Sequence, residues 1–457
     1  MITIPIMKRF PAIALAFVAA IALAFDAGAA LAQEPLVLTL GGAARLAAEK
    51  SAGPETARLR SDQAAARVRQ AKSAFLPNIS GEAIEGERTF NSASFGINFA
   101  DPVTGKYLFD PNGVVLGPVR DYDIRGTVRQ NIYDPSAFAR LKAARASSSA
   151  YGDEASAQSQ IAAGTAAAVY VRVLRADALF AARMADSTLS EELLAIARDQ
   201  LNAGVGIALD VTRAQSQFAA TRAQIISARN ERSRARLDLH RALGLPLNAP
   251  ISLADSLPGL PTNGALPTEL EATERAMRSR ADLRSADAQI TAAQRQIESI
   301  KSERLPALSA FIDQGPTSKS TQHLVSTYDW GIRLSVPMFD GFRREGRIEE
   351  QQAAVRELGV RKRDLTEQAA IDVSGALLDL MSAREELAAT EEHLRFAEQE
   401  LAQARDRFRS GVAGNADVIT ASLSLNAART QIVDSRAAFQ SARVALARAQ
   451  GTVTELP

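Results

Sequence analysis

The sequence contains no cysteine. That excludes disulfides, thiolate nucleophiles, iron–sulfur clusters, cysteine-type zinc sites and a cysteine-borne lipid anchor. Histidine is almost absent too: His240, His323 and His393 stand far apart, so no metal site is expected. Aromatic residues make up 5% of the chain, few for 457 residues. The 53 basic and 52 acidic side chains leave a formal charge of +1, without the cationic surplus that nucleic acid requires. There is no P-loop, no HExxH, no G-x-S-x-G elbow and no clustered histidine–carboxylate set, so neither an enzyme nor a cofactor is expected. What abounds instead is Ala, Arg, Gln and Glu, a composition of long helices with small-residue seams.

One strongly apolar run exists. Lys8-Arg9 precede an apolar stretch from Phe10 to Phe25, and Ala30-Leu31-Ala32 follow. A charged segment, an apolar segment and an A-x-A site read as a secretory signal, residues 1–32, cleaved after Ala32, with Met7 an alternative start. The run falls short of the roughly 20 residues a spanning helix needs.

The rest of the chain is written twice. Gly204-Val205 with Asp210-Val211 repeats as Gly411-Val412 with Asp417-Val418, an offset of 207. Over Leu201–Gly244 against Phe408–Gly451, 16 of 44 positions are identical, among them Arg222/Arg429 and Gly244/Gly451. Tyr122-Asp123 matches Tyr328-Asp329, and Leu76-Pro77 matches Leu305-Pro306. The first repeat is read as 33–244, the second as 268–457, and the Pro-rich segment 245–267 as a structured linker.

Each repeat has the same order. A helix (about Ala43–Phe75, and Glu269–Arg304) stops at Leu-Pro, since proline removes an amide and crowds the preceding turn. A β-hairpin follows, about 77–133 and 306–338. Next comes a helix of about 68 residues, Pro135 to Asn202 or Phe342 to Arg409, which spans on the order of 100 Å at 1.5 Å per residue. A glycine turn leads into a return helix, Asp210–Leu243 or Asp417–Gln450. Leu387, Leu394, Leu401 and Phe408, interleaved with Ala383, Thr390, Ala397 and Ala404, form a heptad seam. Phe180, Ser187, Leu194 and Leu201 keep its phase in the first repeat.

The hairpins alternate with period two. Tyr122, Ile124, Gly126, Val128 and Ile132 share one face; Asp123, Arg125, Thr127, Arg129 and Asn131 share the other. Tyr328, Trp330, Ile332, Leu334, Val336 and Met338 likewise oppose Asp329, Gly331, Arg333 and Ser335. A soluble antiparallel sheet alternates in the same way. The aromatics favour lipid: of the 21 beyond the signal, 14 fall in Phe75–Phe138 or Leu305–Phe342, as interfacial girdles require. Two hairpins supply four strands, too few to close, and only closure satisfies edge amides in lipid. The barrel is therefore expected to be shared among copies of the chain. Between the first two strands lies a 23-residue excess (Asn91 to Arg120, with Asp101-Pro102 and Asp110-Pro111-Asn112-Gly113), expected as a long extracellular loop.

With the signal, the duplicated order, the Gly-Val turn followed by Asp-Val, and the linker together, the chain resembles the TolC family of outer-membrane efflux proteins. The missing anchor cysteine matches the non-lipidated branch. The likeness covers essentially the whole mature chain. It implies a mainly α fold with a membrane β-barrel: a homotrimeric channel-tunnel of twelve strands, four per chain, above a long periplasmic α-helical coiled-coil barrel. It also implies a passive duct of a tripartite efflux or type I secretion system, docked to a periplasmic adaptor (membrane fusion) protein and an inner-membrane RND or ABC transporter.

By the same resemblance, the adaptor-docking tips are Gly204-Val205-Gly206-Ile207 and Gly411-Val412-Ala413-Gly414. The periplasmic gate is assigned to Asp417 and, in the first repeat, Asp210. Thr420 stands where a second acid is often found, Ala413 where an arginine can lock the closed state, and Phe408 where a tyrosine can hydrogen-bond. Both aspartates also suit a helix N-cap after a glycine turn. The alternative to the channel is a soluble periplasmic coiled-coil adaptor or scaffold, which would share the seams but give no reason for Trp330 and its apolar neighbours.

Overall fold

The computed structural model describes residues 36–95, 101–107, 110, 112–262, 264–410, 412 and 414–457. The expected signal, Gly411, Ala413 and parts of the first-hairpin loop lie outside the described residues. In chain order the elements are β1 (Leu36–Leu38), α1 (Leu40–Lys50), α2 (Ala52–Lys72), β2 (Asn78–Asn91), β3 (Val115–Tyr133), α3 (Pro135–Asn202), α4 (Ala208–Leu243) and β4 (Ile251–Leu253). There follow α5 (Glu269–Ser279), α6 (Ala281–Ser302), β5 (Ala307–Ser318), β6 (Val325–Ser335), α7 (Arg343–Arg409) and α8 (Asn415–Gln450).

The long helices run as their sequence foretold. Asp134 caps α3, accepting from the Ala137 amide at 3.0 Å, and Pro135 occupies the first helical position, where no amide is needed. Ala383, Leu387, Thr390, Ala397 and Leu401 are buried along the heptad seam. In the first repeat Ser187 and Leu194 are buried, while Leu201 is exposed.

The first helix of each repeat differs from expectation. In place of one helix there are two, broken at Ser51 (ψ 154°) and at Arg280 (ψ 121°). Each break receives the end of the same repeat's return helix. Gly244, with φ +68°, closes α4 against Lys50 and Ser51; Gly451, with φ +73°, closes α8 against Arg280. A Cβ on Gly244 would lie 2.5 Å from the Lys50 carbonyl oxygen. Sequence periodicity does not register such a break, although Pro54, in the first turn of α2, is a local signal for the one at Ser51.

The linker carries β4, which pairs in parallel with β1. Asp255 beside it accepts from the Leu40 amide at 2.8 Å and from the buried Tyr170 hydroxyl at 2.9 Å. Apolar packing runs along α3 and α8 at the level of the linker, where Tyr170, Val171, Leu174, Val433 and Val444 share one cluster with Leu239, Leu243 and Leu257. Nearer the helix tips, Leu189 and Leu193 of α3 pack with Ala397, Leu401, Val418 and Leu425.

The four longer strands form a single antiparallel sheet in the order β2-β3-β5-β6. β3 and β5 join the hairpins of the two repeats, leaving β2 and β6 as open edges.

Candidate functional site

The sheet sorts its side chains by register. Ile79 pairs with Val128, Val128 with Ile312 and Ile312 with Trp330, so one apolar row crosses all four strands. Leu308 opposes Leu334 and Ala310 opposes Ile332 on the same face. The next row, Ser80, Thr127, Asp313 and Asp329, falls on the other face and is wholly polar. There Thr127 donates to Asp313, Arg125 pairs with Asp123 at 3.1 Å, and Arg333 sits 5.2 Å above the Phe311 ring.

Ile124, Ile132, Tyr328, Trp330, Ile332, Leu334 and Val336 are all more than half exposed in the single chain. Tyr122 and Val128 are half-buried. Apolar side chains left this bare along β6 and at Ile124 and Ile132 of β3 are unlike a water-facing surface. From Tyr328 to Leu334 the band spans roughly 20 Å at about 3.3 Å per residue, near the height of an outer-membrane apolar belt.

Two residues on this face depart from simple alternation. The register shifts between Asn131 and Tyr133, so Tyr133, and not Ile132, stands opposite Leu308. Val336 lies beyond the end of β6, next to Pro337, which has no amide to continue a ladder.

At the far end of the helices the two tips lie together. Gly204 adopts φ +74°, and the amides of Val205 and Gly206 both donate to the Gln200 carbonyl at 3.0 Å. Gly206 is closely packed: a Cβ there would lie 3.0 Å from Gln200 Cβ and from the Leu201 amide nitrogen. Val205 and Ile207 project into solvent, as does Val412 on the second tip, whose amide donates to the Arg407 carbonyl at 2.9 Å. Gly414 is the N-cap of α8.

The N-cap reading of the two aspartates does not hold. The caps are Ile207 and Gly414, neither with a side-chain bond, and Asp210 and Asp417 occupy the third helical position. The hairpin turn takes more residues than a single glycine supplies, so each helix starts earlier than Asp-Val suggests. Both acids still complement the helix dipole in the first turn. Asp210 lies 3.8 Å from Arg213, one turn on. Asp417 is exposed, with no ion pair or side-chain hydrogen bond among the described residues. Thr420 is exposed and donates back to the Ala416 carbonyl at 2.9 Å.

Two polar features escaped the sequence. Asn415, 2% exposed, donates from Nδ2 to the Asp210 carbonyl at 3.3 Å and so ties one tip to the other; its Oδ1 has no hydrogen-bond partner among the described residues. Asp186 of α3 is fully buried between Arg429 of α8 at 3.0 Å and Arg183 at 3.4 Å. Turning the Asn426 amide so that its nitrogen faces Asp186 adds a third donor at 2.8 Å. Burial pushes this carboxyl above its ordinary range, against the pull of both guanidinium groups. The recurrence of Arg222 at Arg429 was the only available signal for this cluster, and it pointed to no partner.

Among the described residues no group of histidine and carboxylate side chains could hold a metal, and no helix is long and apolar enough to cross a membrane.

The profile of the outer membrane efflux protein family matches residues 46–245 and 272–452. No curated protein sequence matches the chain. Among solved structures, the chain is similar to a membrane protein from Pseudomonas aeruginosa, with 20% identity, TM-score 0.72, and 90% of this chain and 93% of that one covered. It is similar to the outer membrane protein VceC from Vibrio cholerae, with 18% identity, TM-score 0.70, and 90% and 96% covered. The open state of the MtrE outer membrane channel of Neisseria gonorrhoeae gives 16% identity, TM-score 0.71, and 90% and 88% covered.

Proposed function

Since the chain belongs to the outer membrane efflux protein family, we propose that three copies close a twelve-stranded barrel over one periplasmic tunnel. The family makes the protein an outer-membrane efflux channel that extends into the periplasm, and a passive channel, not an enzyme. A soluble adaptor or scaffold is not supported.

One observation carries it: the sheet has an exposed apolar face and two unpaired edges, β2 and β6. In hydrocarbon each unpaired backbone group costs several kcal/mol. Pairing β6 of one copy with β2 of the next removes both edges at once, and twelve strands are enough to enclose a lumen. The apolar row through Trp330 then faces lipid and the row through Asp313 faces water.

Residues 1–32 are read as the export signal, 33–244 and 268–457 as the two repeats, and 245–267 as their linker. α3 and α7, each on the order of 100 Å long, carry the duct away from the membrane. The bare apolar tips at Val205, Ile207 and Val412 suit capture by a periplasmic adaptor, which would link the duct to an energised inner-membrane transporter of the RND or ABC type. The same tips bring Asp210 and Asp417 to the mouth, where copies around an axis would form acidic rings.

Reconstitution tests the reading. The mature protein should run as a trimer in detergent and give single-channel conductance in planar bilayers. A monomer in micelles that forms no channel would refute it.

A further inference from the structure

The two repeats carry the same apolar pattern but bury it differently, and the difference identifies a surface. At the offset of 207, α7 stands to α3 as α8 stands to α4; α4 and α8 are both 36 residues and end at Gly244 and Gly451. Within the chain α3 packs on α8. Val171, Leu174 and Leu189 of α3, and Val433 and Val444 of α8, are all buried. Their counterparts are Leu378, Met381 and Phe396 of α7, and Ile226 and Leu237 of α4. All five of these are exposed. Helices α7 and α4 thus hold the two halves of a contact that one copy cannot complete.

Charge agrees with this division. Along α4, seven arginines face three carboxylates (Asp210, Glu231, Asp238). Along 378–400 of α7, seven acids face only Arg384 and Arg395. Arg222, Arg229 and Arg234 on one side, and Glu385, Glu386, Glu398 and Glu400 on the other, form no ion pair among the described residues. The unmatched cations and unmatched anions lie on the same two helices as the unmatched apolar residues.

We propose that α7 of one copy docks on α4 of a second copy in the register that α3 takes on α8 within the chain. In that register His393, whose Nδ1 lies 3.1 Å from Oε1 of Gln431 in its own chain, takes the place of Asp186 and meets Arg222 of the partner subunit, the counterpart of Arg429. This inference rests on the oligomeric reading above and assigns its contact residues. A contact between two different surfaces, repeated by rotation, closes a ring. The seam inside each chain holds a buried carboxylate–guanidinium pair, whereas the seam between chains has imidazole in the carboxylate's place. The inter-chain seam is therefore the weaker one at this level, and the glutamates of α7 provide its electrostatic attraction.

The lack of cysteine makes the test direct. In the full-length trimer, a His393→Cys, Arg222→Cys double variant treated with a short thiol–thiol cross-linker should give covalent dimers and trimers on a denaturing gel. Each single variant should give none. His393→Asp, which rebuilds the pair found inside the chain, should slow subunit exchange several-fold, whereas Arg222→Gln should abolish that gain. A stable trimer without inter-chain cross-links overturns the register but leaves the trimer standing; loss of the trimer in the unmodified protein refutes the oligomer itself. If His393→Asp leaves subunit exchange unchanged, or if the double variant cross-links only within one chain, the assignment is wrong. If the double variant does not assemble, Met381→Cys with Ile226→Cys gives the same readout, and absence of inter-chain products there also overturns it.

Discussion

Arg429 of α8 places Nη1 3.0 Å from Oδ1 of Asp186, a carboxylate that α3 holds wholly out of solvent, so a buried ion pair joins the two repeats. Burial raises the Asp186 carboxyl above its ordinary value of 3.8. The folded chain then binds this proton more tightly than the unfolded chain. The group's contribution to stability is fully present below the ordinary value and is lost as pH rises through the folded one. Relative to Asp186→Asn, the wild type should therefore lose denaturant resistance as pH is raised across that window. A gap that grows with pH would mean that the guanidinium groups outweigh burial.

Gly244 and Gly451 make a second, independent prediction. Both hold left-handed backbone and both press on a helix break, but the contact is closer at Gly244, 2.5 Å against 3.0 Å for the nearest atom. Left-handed strain alone costs an alanine at least about 1 kcal/mol. Gly244→Ala should lower the thermal midpoint of the detergent-solubilised protein more than Gly451→Ala does, because the Lys50 carbonyl must also move.

How much of this was written in the sequence depends on the range of each cause. The span of α3 was legible because Asp134, Pro135 and the heptad seam act within a few residues of one another. The sheet faces were legible because alternation is local. The breaks at Ser51 and Arg280 were missed: apolar periodicity runs through both, their contacts with Gly244 and Gly451 are distant in sequence, and only Pro54 marks the first locally. The shift that brings Tyr133 opposite Leu308 depends on β5, again distant in sequence. At the tips, the cap alternative for Asp210 and Asp417 fails because hydrogen bonds to Gln200 and Arg407 set the length of each turn and let the helices start earlier. Asn415 joins two turns about 200 residues apart, a relation that no spacing within one repeat can express.

The two faces of the sheet should respond oppositely to charge. Trp330 belongs to the apolar row and Asp329, its neighbour, to the polar one. Trp330→Arg should cost about 2–4 kcal/mol near the middle of the bilayer and sharply reduce outer-membrane insertion. Asp329→Asn should insert normally and alter only ion selectivity, read as a shifted reversal potential in a salt gradient. Equal insertion of the two variants would contradict the assignment of the faces.

At the second helical tip, Asp417 is exposed and has no ion-pair partner among the described residues, whereas Asp210 has Arg213 nearby. A carboxylate with no cation of its own, repeated around an axis, concentrates divalent cations through the summed field of the ring. Thr420 adds no second charge one turn on, so the attraction rests on Asp417 and less on the partly compensated Asp210. Asp417→Ala should weaken block of single-channel conductance by divalent cations added on the periplasmic side, shifting the half-blocking concentration upward about tenfold if roughly 1.4 kcal/mol of attraction is lost. Asp210→Ala should shift it less, and Thr420→Asp should tighten the block. Unchanged block in Asp417→Ala, measured on channels of normal open conductance, would remove this residue from the mouth.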